Sequence, residues 1–193
     1  MNAGRVSLNR DRRAELVALA DELRPELHRY CARLMGSVID GEDVVQDTLV
    51  RAYVALQDLE AQGLEEMPPL RPWLFRIAHN RALDLLRGRA VRMAEPIDAA
   101  LDVVDSSSPD PVEMLMRQEA VKTAVSRFAE LPTLQRCVVI LKDVLDESLI
   151  EIAALLDLTV DAVKGHLARG RARLRQINAQ AGPLPEAPPA SAA

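Results

Sequence analysis

Apolar residues recur at three- and four-residue spacing along almost every stretch of this chain that could be ordered. Leu16, Leu19, Leu23 and Leu27 show the pattern near the start, and no stretch alternates apolar and polar residues long enough to indicate a strand. A spacing of three and four is that of one face of an α-helix, whereas a half-buried strand would alternate with period two. Aromatic residues make up only 3% of the sequence. We therefore predict an all-α fold.

The acidic charge of the chain is concentrated in one segment. The net charge is −5, but residues 1–94 hold equal numbers of acidic and basic residues, while residues 95–119 hold seven acids and one base. Ser106, Ser107 and Ser108, followed by Pro109 and Pro111, are typical of loops. This segment is therefore interpreted as a connection between two folded parts.

The composition predicts four parts of the chain. Residues 1–94 and 112–178 are expected to form two small helical domains, the second ending in a helix-turn-helix. An acidic flexible linker over 95–111 joins them. The Pro/Ala-rich residues 179–193 are expected to form a disordered tail.

Several kinds of protein are disfavoured by the composition. No apolar run approaches the roughly 20 residues needed to span a bilayer, and the N-terminus lacks the apolar core of a signal peptide, so we expect a cytoplasmic chain. Cys31 and Cys137 lie in apolar helical patterns and are interpreted as core residues. His28, His79 and His166 have no Cys or carboxylate at metal-ligand spacing. We expect neither a metal nor a cofactor.

The stretch from Ser148 to Ile177 has the form of a helix-turn-helix. Ser148 can cap a short helix, Asp157 and Leu158 make the turn, and Thr159 can cap a second helix. The second helix carries one apolar stripe, formed by Val160, Val163, Leu167, Gly170, Leu174 and Ile177.

The other arc of that second helix is basic and contains small residues. Its members are Asp161, Ala162, Lys164, Gly165, His166, Arg169, Arg171 and Arg173. A cationic arc beside a complete apolar stripe suits a phosphate-lined groove, and small residues allow a close approach to base edges. A solvated basic face is the alternative, but the capped helix and turn that precede this arc favour nucleic-acid binding.

Two earlier helices also show polar faces. Asp40 is predicted to cap a helix in which Asp43, Gln46, Asp47 and Val50 lie opposite an apolar face. Asp43 and Asp47, with Glu42, could form a metal or acid–base site, but a capped, solvated helix start explains these acids. A third helix starts near Pro72. One of its faces holds Arg76, Asn80, Asp84 and Arg87.

Three motifs together resemble the extracytoplasmic-function (ECF) group of sigma factors. They are "GEDVVQDTLVRAYVAL", "RPWLFRIAHNRALDLLRGR" and "EIAALLDLTVDAVKGHLARGRARLR", and the resemblance covers about residues 10–178. It implies an initiation subunit of bacterial RNA polymerase that is not itself an enzyme.

The resemblance also implies a role for each face. Asp43, Gln46, Asp47 and Val50 match the surface that docks on the polymerase clamp. The basic arc of the last helix would read the minus thirty-five promoter element, and residues 57–71 correspond to a loop that captures an unstacked base. The acidic linker would thread the polymerase cleft. The minus-ten element would face Arg76, Asn80, Asp84, Arg87 and Arg89.

Some features depart from the family pattern or leave alternatives open. Leu149 and Ile150 follow Ser148 where polar residues are common, and they are either core residues or part of a protein-binding patch. His166 stands where Arg is common. A sigma-mimicking regulator that sequesters an anti-sigma factor and a stand-alone helix-turn-helix regulator are the alternative functions. A mimic should lose its DNA-facing cations, which are present here.

The partners implied are the polymerase core, promoter DNA and an anti-sigma factor or other inhibitor. We also expect the free protein to hold its two domains in a closed or masked arrangement. The second domain has only about 65 residues, a size at which stability is marginal without a partner.

Overall fold

The computed structural model of the chain describes residues 3–62, 69–93 and 111–182, and all regular structure in these ranges is helical. The elements are α1 (Ala3–Met35), α2 (Val38–Ala61), α3 (Leu70–Met93), α4 (Pro111–Ala129), α5 (Thr133–Val139), a π-helical turn (Ile140–Val144), α6 (Leu149–Leu156) and α7 (Val160–Ala181). The predicted all-α fold is confirmed. Nearly all of the predicted linker, residues 63–68 of the predicted base-capturing loop and residues 183–193 of the predicted tail lie outside the described residues.

The connection between α1 and α2 is tighter than the sequence suggested. Gly36 takes a left-handed conformation with φ +75°, which a residue without a side chain adopts at little cost. The chain therefore reverses within two residues, and α2 begins at Val38. The hydroxyl of Ser37 accepts a hydrogen bond from the backbone N–H of Asp40 at 3.3 Å. Ser37, and not Asp40 as predicted, caps this helix.

Helices α1, α2 and α3 pack around an apolar core. Gly41 lies where α1 and α2 touch, and a Cβ atom at this position would come within 2.5 Å of the backbone of Ala32. This contact lets the apolar faces of both helices meet. The buried residues of this half include Leu23, Leu27, Tyr30, Leu34, Val44, Val45, Ala52, Leu56, Leu74, Phe75 and Ala78.

The helix-turn-helix prediction agrees with the local structure. The Ser148 hydroxyl accepts from the N–H of Glu151 while the Glu151 carboxylate accepts from the N–H of Ser148, which is a capping box. Asp157 ends α6 in the left-handed conformation, with φ 55°. The Thr159 hydroxyl accepts from the N–H of Ala162 and begins α7. Short-range hydrogen bonds therefore position both helices of the motif.

Gly170 allows α7 to pack closely on α5. A Cβ atom on Gly170 would lie 2.6 Å from Cγ2 of Val139 and 3.2 Å from the carbonyl oxygen of Gln135. An interior helical glycine costs about 1 kcal/mol relative to alanine. Here that cost is offset by a contact that no other residue could make without moving α5.

The two halves of the chain pack against each other. Helix α1 contacts α4 and α5, and α3 contacts α6. The buried residues form a single cluster that extends from Leu16 in α1 to Leu167 in α7. The second half, which is too small to bury a large core by itself, thus shares the core of the first.

None of the helices within the described ranges combines the length and apolarity needed to cross a membrane.

Candidate nucleic-acid interface

Helix α7 separates a buried stripe from an exposed basic arc. Val163, Leu167, Gly170 and Ile177 are buried, as the spacing predicts. Asp161 and the four predicted cations of the arc, namely Lys164, Arg169, Arg171 and Arg173, are exposed, while Ala162, Gly165 and His166 are half-buried between them. All eight residues of the predicted arc therefore lie together on the surface of the second half.

Short-range contacts orient two of these cations. Nζ of Lys164 lies 3.1 Å from Oδ1 of Asp161, one turn earlier. Nη2 of Arg169 lies 3.4 Å from Nδ1 of His166. The Arg169 guanidinium also covers Gly165, where a Cβ atom would be 3.3 Å from Nη1. Because these partners are near neighbours on the surface of the same helix, the cations can exchange them for phosphates at little cost.

Arg171 is held differently, by a residue that the sequence reasoning missed. Its Nε and Nη2 donate to the two carboxylate oxygens of Asp143, at 3.0 and 2.5 Å. The hydrogen bond to Asp143 raises the pKa of the Arg171 guanidinium. Asp143 lies in the π-helical turn after α5, and no local pattern connects it with a residue 28 positions later. Because it pairs with Asp143, the Arg171 side chain is turned toward its own half of the chain as well as toward any ligand on the surface of α7.

Helix α3 presents the polar face that its spacing predicts. Arg76, Asn80, Asp84 and Arg87 are exposed, and the opposite side of α3 is buried. Nη1 of Arg87 donates to Oδ1 of Asp84 at 3.0 Å. Nη2 of Arg76 donates to the carbonyl oxygen of Ala154, in α6 of the other half, at 2.9 Å. Arg76 therefore has a protein partner at the position where a nucleic acid was expected.

Arg89 does not share the face of Arg76. It is half-buried toward α2, where its Nη2 lies 2.6 Å from Oδ1 of Asp40. The hydrogen bond from Arg89 is the main reason why the pKa of Asp40 lies below its usual value. The structure thus brings four of the five residues predicted for the minus-ten element together and directs the fifth to α2.

A groove of about 420 Å³ runs between α2 and α3. The four residues predicted to contact the polymerase line it: Asp43, Gln46, Asp47 and Val50. Asp40 of α2 and Arg81, Leu85 and Arg89 of α3 complete the lining. Arg81 forms an ion pair with Asp47. Val50 is 63% exposed, and the exposed Val54 extends the apolar edge of the groove along α2. The surface therefore combines alternating charges with an apolar rim.

The cysteines and apolar residues singled out in the sequence can now be placed in the fold. Cys31 and Cys137 are buried free thiols. Leu149 packs against the core, whereas Ile150 is 73% exposed. Among the described side chains, His, Cys, Asp and Glu nowhere form a group of three that could hold a metal ion.

Two family models match the two halves of the chain. Sigma-70 region 2 matches residues 19–92, and sigma-70 region 4 matches residues 123–174. The first range contains α2 and α3 with their polar faces. The second contains the helix-turn-helix.

Two curated proteins illustrate the similarity. The ECF RNA polymerase sigma factor SigG of Mycobacterium tuberculosis is 32% identical over 97% of this chain, and the match covers 55% of SigG. The chain thus spans about half the length of that relative. The RNA polymerase sigma factor CnrH of Cupriavidus metallidurans is 38% identical over 72% of this chain and 73% of CnrH.

Solved structures show the same fold. CnrH in complex with the cytosolic domain of CnrY has a TM-score of 0.61 and 28% identity over 92% of this chain and 96% of that one. The sigma factor RpoE of Bartonella quintana, in complex with the anti-sigma factor NepR, has a TM-score of 0.59 and 26% identity. That match covers 86% of this chain and 96% of RpoE.

Proposed function

Because this chain belongs to the ECF RNA polymerase sigma factors, we propose that it directs a bacterial RNA polymerase core to a set of promoters and assists promoter opening. One observation carries the proposal. A region 2 half and a region 4 half occur in one chain, and each has an exposed polar helix face with cations. A sigma mimic would not need these cations. A stand-alone regulator would not need the α2 face.

We assign α7 to the minus thirty-five element. A helix whose buried stripe is complete can lie in the major groove, with its outer arc toward phosphates and base edges. Arg169 is the residue best placed for a base contact, since it is exposed and lies next to the small Gly165. Bidentate contacts from Arg to guanine are the most common specific contacts of this kind.

We assign the exposed face of α3 to the minus-ten element. Arginine and asparagine side chains can bind phosphates and the edges of unpaired bases, which a protein that helps to open DNA must do. Arg76, Asn80, Asp84 and Arg87 form this face. Arg89 can join it only after its ion pair with Asp40 is broken.

The groove between α2 and α3 is the proposed contact with the polymerase clamp. The exposed Asp43, the half-buried Asp47 and the apolar Val50 suit a partner helix with cations and apolar residues. The factor would act in the cytoplasm and have no catalytic activity of its own. Two structurally similar chains were solved in complexes named for CnrY and for the anti-sigma factor NepR, which supports an anti-sigma factor as a further partner.

Run-off transcription with purified core polymerase on genomic fragments tests the proposal. The protein should bind core and yield transcripts from a distinct set of promoters. Binding without any promoter-dependent transcript would favour the mimic. DNA binding without core binding would favour the stand-alone regulator.

A double charge reversal tests the polymerase surface. Asp43→Lys with Asp47→Lys should weaken core binding by about tenfold or more, because both carboxylates line the groove. The matched control is Asp21→Lys with Glu22→Lys, which makes the same charge change at exposed positions of α1. Equal affinity of the two double variants in a pull-down would refute the assignment.

A further inference from the structure

A small cavity lies between the first turns of α3 and helix α6, and its walls are mainly apolar. Its volume is about 140 Å³. Pro72 and Phe75 of α3 contribute to the walls, together with Leu141, Ile152 and Leu155 of the second half. Phe75, Leu141 and Ile152 are at most 3% exposed, so these walls belong to the packed core. The cavity is therefore preformed, as small-molecule sites usually are.

The cavity opens to solvent on one side, where its edge is polar. Arg76, Glu151 and Ala154 line it and are exposed. The Arg71 guanidinium lies 5.1 Å from the centre of the Phe75 ring and covers part of that ring. An apolar interior with a few polar groups at its edge is typical of small-molecule sites. In such sites the walls bind the body of the ligand and the polar groups orient it.

The carboxylates at this edge already interact with a cation. Arg71 lies 2.8 Å from Glu26 and 2.5 Å from Glu147. The carboxylate of Glu151 accepts a hydrogen bond from the backbone N–H of Ser148 at 2.9 Å. The hydrogen bonds with Ser148 lower the pKa of the Glu151 carboxyl, and the charge of Arg71 contributes. A cationic ligand would therefore compete with Arg71 for both Glu147 and Glu151.

Arg76 differs from these groups, because no carboxylate pairs with it among the residues that the structure describes. Its Nη2 donates to the carbonyl oxygen of Ala154 at 2.9 Å. A guanidinium has several N–H donors, so most of those of Arg76 have no protein partner in this part of the chain. By contrast, Arg87 of the same helix pairs with Asp84 at 3.0 Å. An anion at the opening would receive charge-assisted hydrogen bonds from Arg76.

We propose that this cavity binds a small carboxylate whose apolar body is about the size of a benzene ring. An apolar cavity of about 150 Å³ is large enough for benzene, and this one is of similar size. The body would lie against Phe75 and Ile152, and the carboxylate would lie at the opening, on Arg76. A nucleobase or a peptide backbone would bring polar groups that these walls cannot satisfy. Binding of this kind does not require the function assigned to α3.

Three probes with the same ring and different charges test the ligand class in the full-length protein. Sodium benzoate, benzyl alcohol and benzylamine are titrated into the isotope-labelled chain, and Kd is obtained from the shifts of the backbone amide signals. Benzoate should bind with a Kd of about 0.1–1 mM, as expected for so small a ligand. Its shifts should be largest at residues 71–76 and 147–155, where the cavity lies. Benzyl alcohol should bind about fivefold more weakly, and benzylamine more weakly still.

Two matched variants test the role of Arg76. Arg76→Gln should weaken benzoate about fivefold and leave the affinity for benzyl alcohol unchanged, because only the charged group is lost. Arg87→Gln removes the same charge from an exposed position of the same helix that does not line the cavity, and it should bind benzoate like the native chain. Ala154→Phe adds a ring at an exposed position beside the opening and should weaken both ligands. Unchanged amide signals outside the cavity show that each variant is folded.

Each contrary result overturns the assignment in a different way. The absence of saturable benzoate shifts in the folded native chain shows that the cavity is not a ligand site. Equal or tighter binding of benzyl alcohol indicates an uncharged occupant, such as an apolar side chain of a partner protein, and tighter binding of benzylamine indicates a cationic one. Equal losses in Arg76→Gln and Arg87→Gln show attraction by the overall charge of α3. None of these results depends on transcription, so they leave the test of the proposed function separate.

Discussion

Helices α3 and α7 both carry cations, but they differ in what those cations touch. On α3, Arg81 and Arg89 pair with carboxylates of α2, and Arg76 donates to a carbonyl of α6. On α7, Lys164 and Arg169 contact residues three or four positions away on the same helix. Arg76, Arg81 and Arg89 of α3 are thus part of the tertiary structure, whereas Arg87 of α3 and most of the cations of α7 lie on the surface.

This difference predicts that the two helices would bind DNA differently. Exposed ion pairs within one helix contribute only about 0–1 kcal/mol, so α7 can release its cations to phosphates without rearrangement. Arg76 can bind a strand only after the contact between α3 and α6 is broken. We therefore expect recognition by α7 to precede engagement of α3.

The largest expected effect is a pH dependence that originates on the buried side of α3. His79 is 7% exposed, and burial lowers its pKa from 6.5 to about 4, with a further contribution from the charge of Arg87. The hydroxyl oxygen of Tyr30 lies 2.8 Å from Nδ1 of His79. As the pH falls from about 6.5 to 4, the unfolded chain takes up a proton that the folded chain does not. The free energy of unfolding should therefore fall by up to about 3 kcal/mol over this window.

Hydrogen exchange measured separately for the two halves checks this expectation. On acidification, the backbone amides of α1–α3 should lose protection against hydrogen exchange. This loss should be smaller in His79→Gln than in the native protein. A pH slope in His79→Gln equal to that of the native protein would show that His79 is not the titrating group.

A second variant should disrupt the packing of α7 on α5, on which the comparison of α3 and α7 depends. Gly170→Val places side-chain atoms against Val139 and the backbone of Gln135 and should cost about 1–3 kcal/mol in urea denaturation. At Gly165 an added Cβ atom meets only the mobile end of Arg169. Gly165→Ala should therefore be neutral or stabilising by up to about 1 kcal/mol. Similar losses at both glycines would mean that α5 and α7 do not pack as described.

A third pair of variants compares the two helices directly. Arg169→Ala should cost about 1–3 kcal/mol of specific binding and relax the preference at one upstream base pair. Asn80→Ala should leave upstream binding by the holoenzyme nearly intact and reduce strand opening, measured as permanganate reactivity of unpaired thymines. Equal loss of binding from both variants, with opening unchanged, would show that both residues are ordinary phosphate contacts.

The smallest expected effect concerns Arg171, the exception on α7. Asp143→Asn should cost at most about 1 kcal/mol of stability, because the pair is exposed. It should release Arg171 to neutralise a phosphate and steepen the salt dependence of DNA binding by up to about one unit of slope. Asp146→Asn is the control, since it removes a nearby charge that does not contact Arg171. A slope that does not change would mean that Arg171 is directed away from DNA.

Local features of the second half could be predicted from the sequence, because the interacting groups are close in the chain. The caps at Ser148 and Thr159 and the turn at Asp157 join residues three or four positions apart. The stripe from Val163 to Ile177 needs only the period of one helix. The same holds for the polar face of α3, whose four residues follow from spacings of three and four.

Gly170 marks the limit of that reasoning. Its place in the apolar stripe is visible from the spacing, but the reason for a glycine there is not. Only the packed structure shows that Val139 and Gln135, more than 30 positions earlier, leave no room for a Cβ atom. The partner of Arg171 is hidden in the same way.

The sequence alone therefore determines which helices form, which face of each is apolar and where the cations of each face lie, because these properties depend on contacts within a few residues. The tertiary structure decides what those cations touch. Arg89 reaches Asp40 across 49 positions, and Arg76 reaches Ala154 across 78. Such pairs depend on how helices cross and how the halves dock. A helical period fixes the direction of a side chain around its own axis, and it carries no information about the helix that packs opposite.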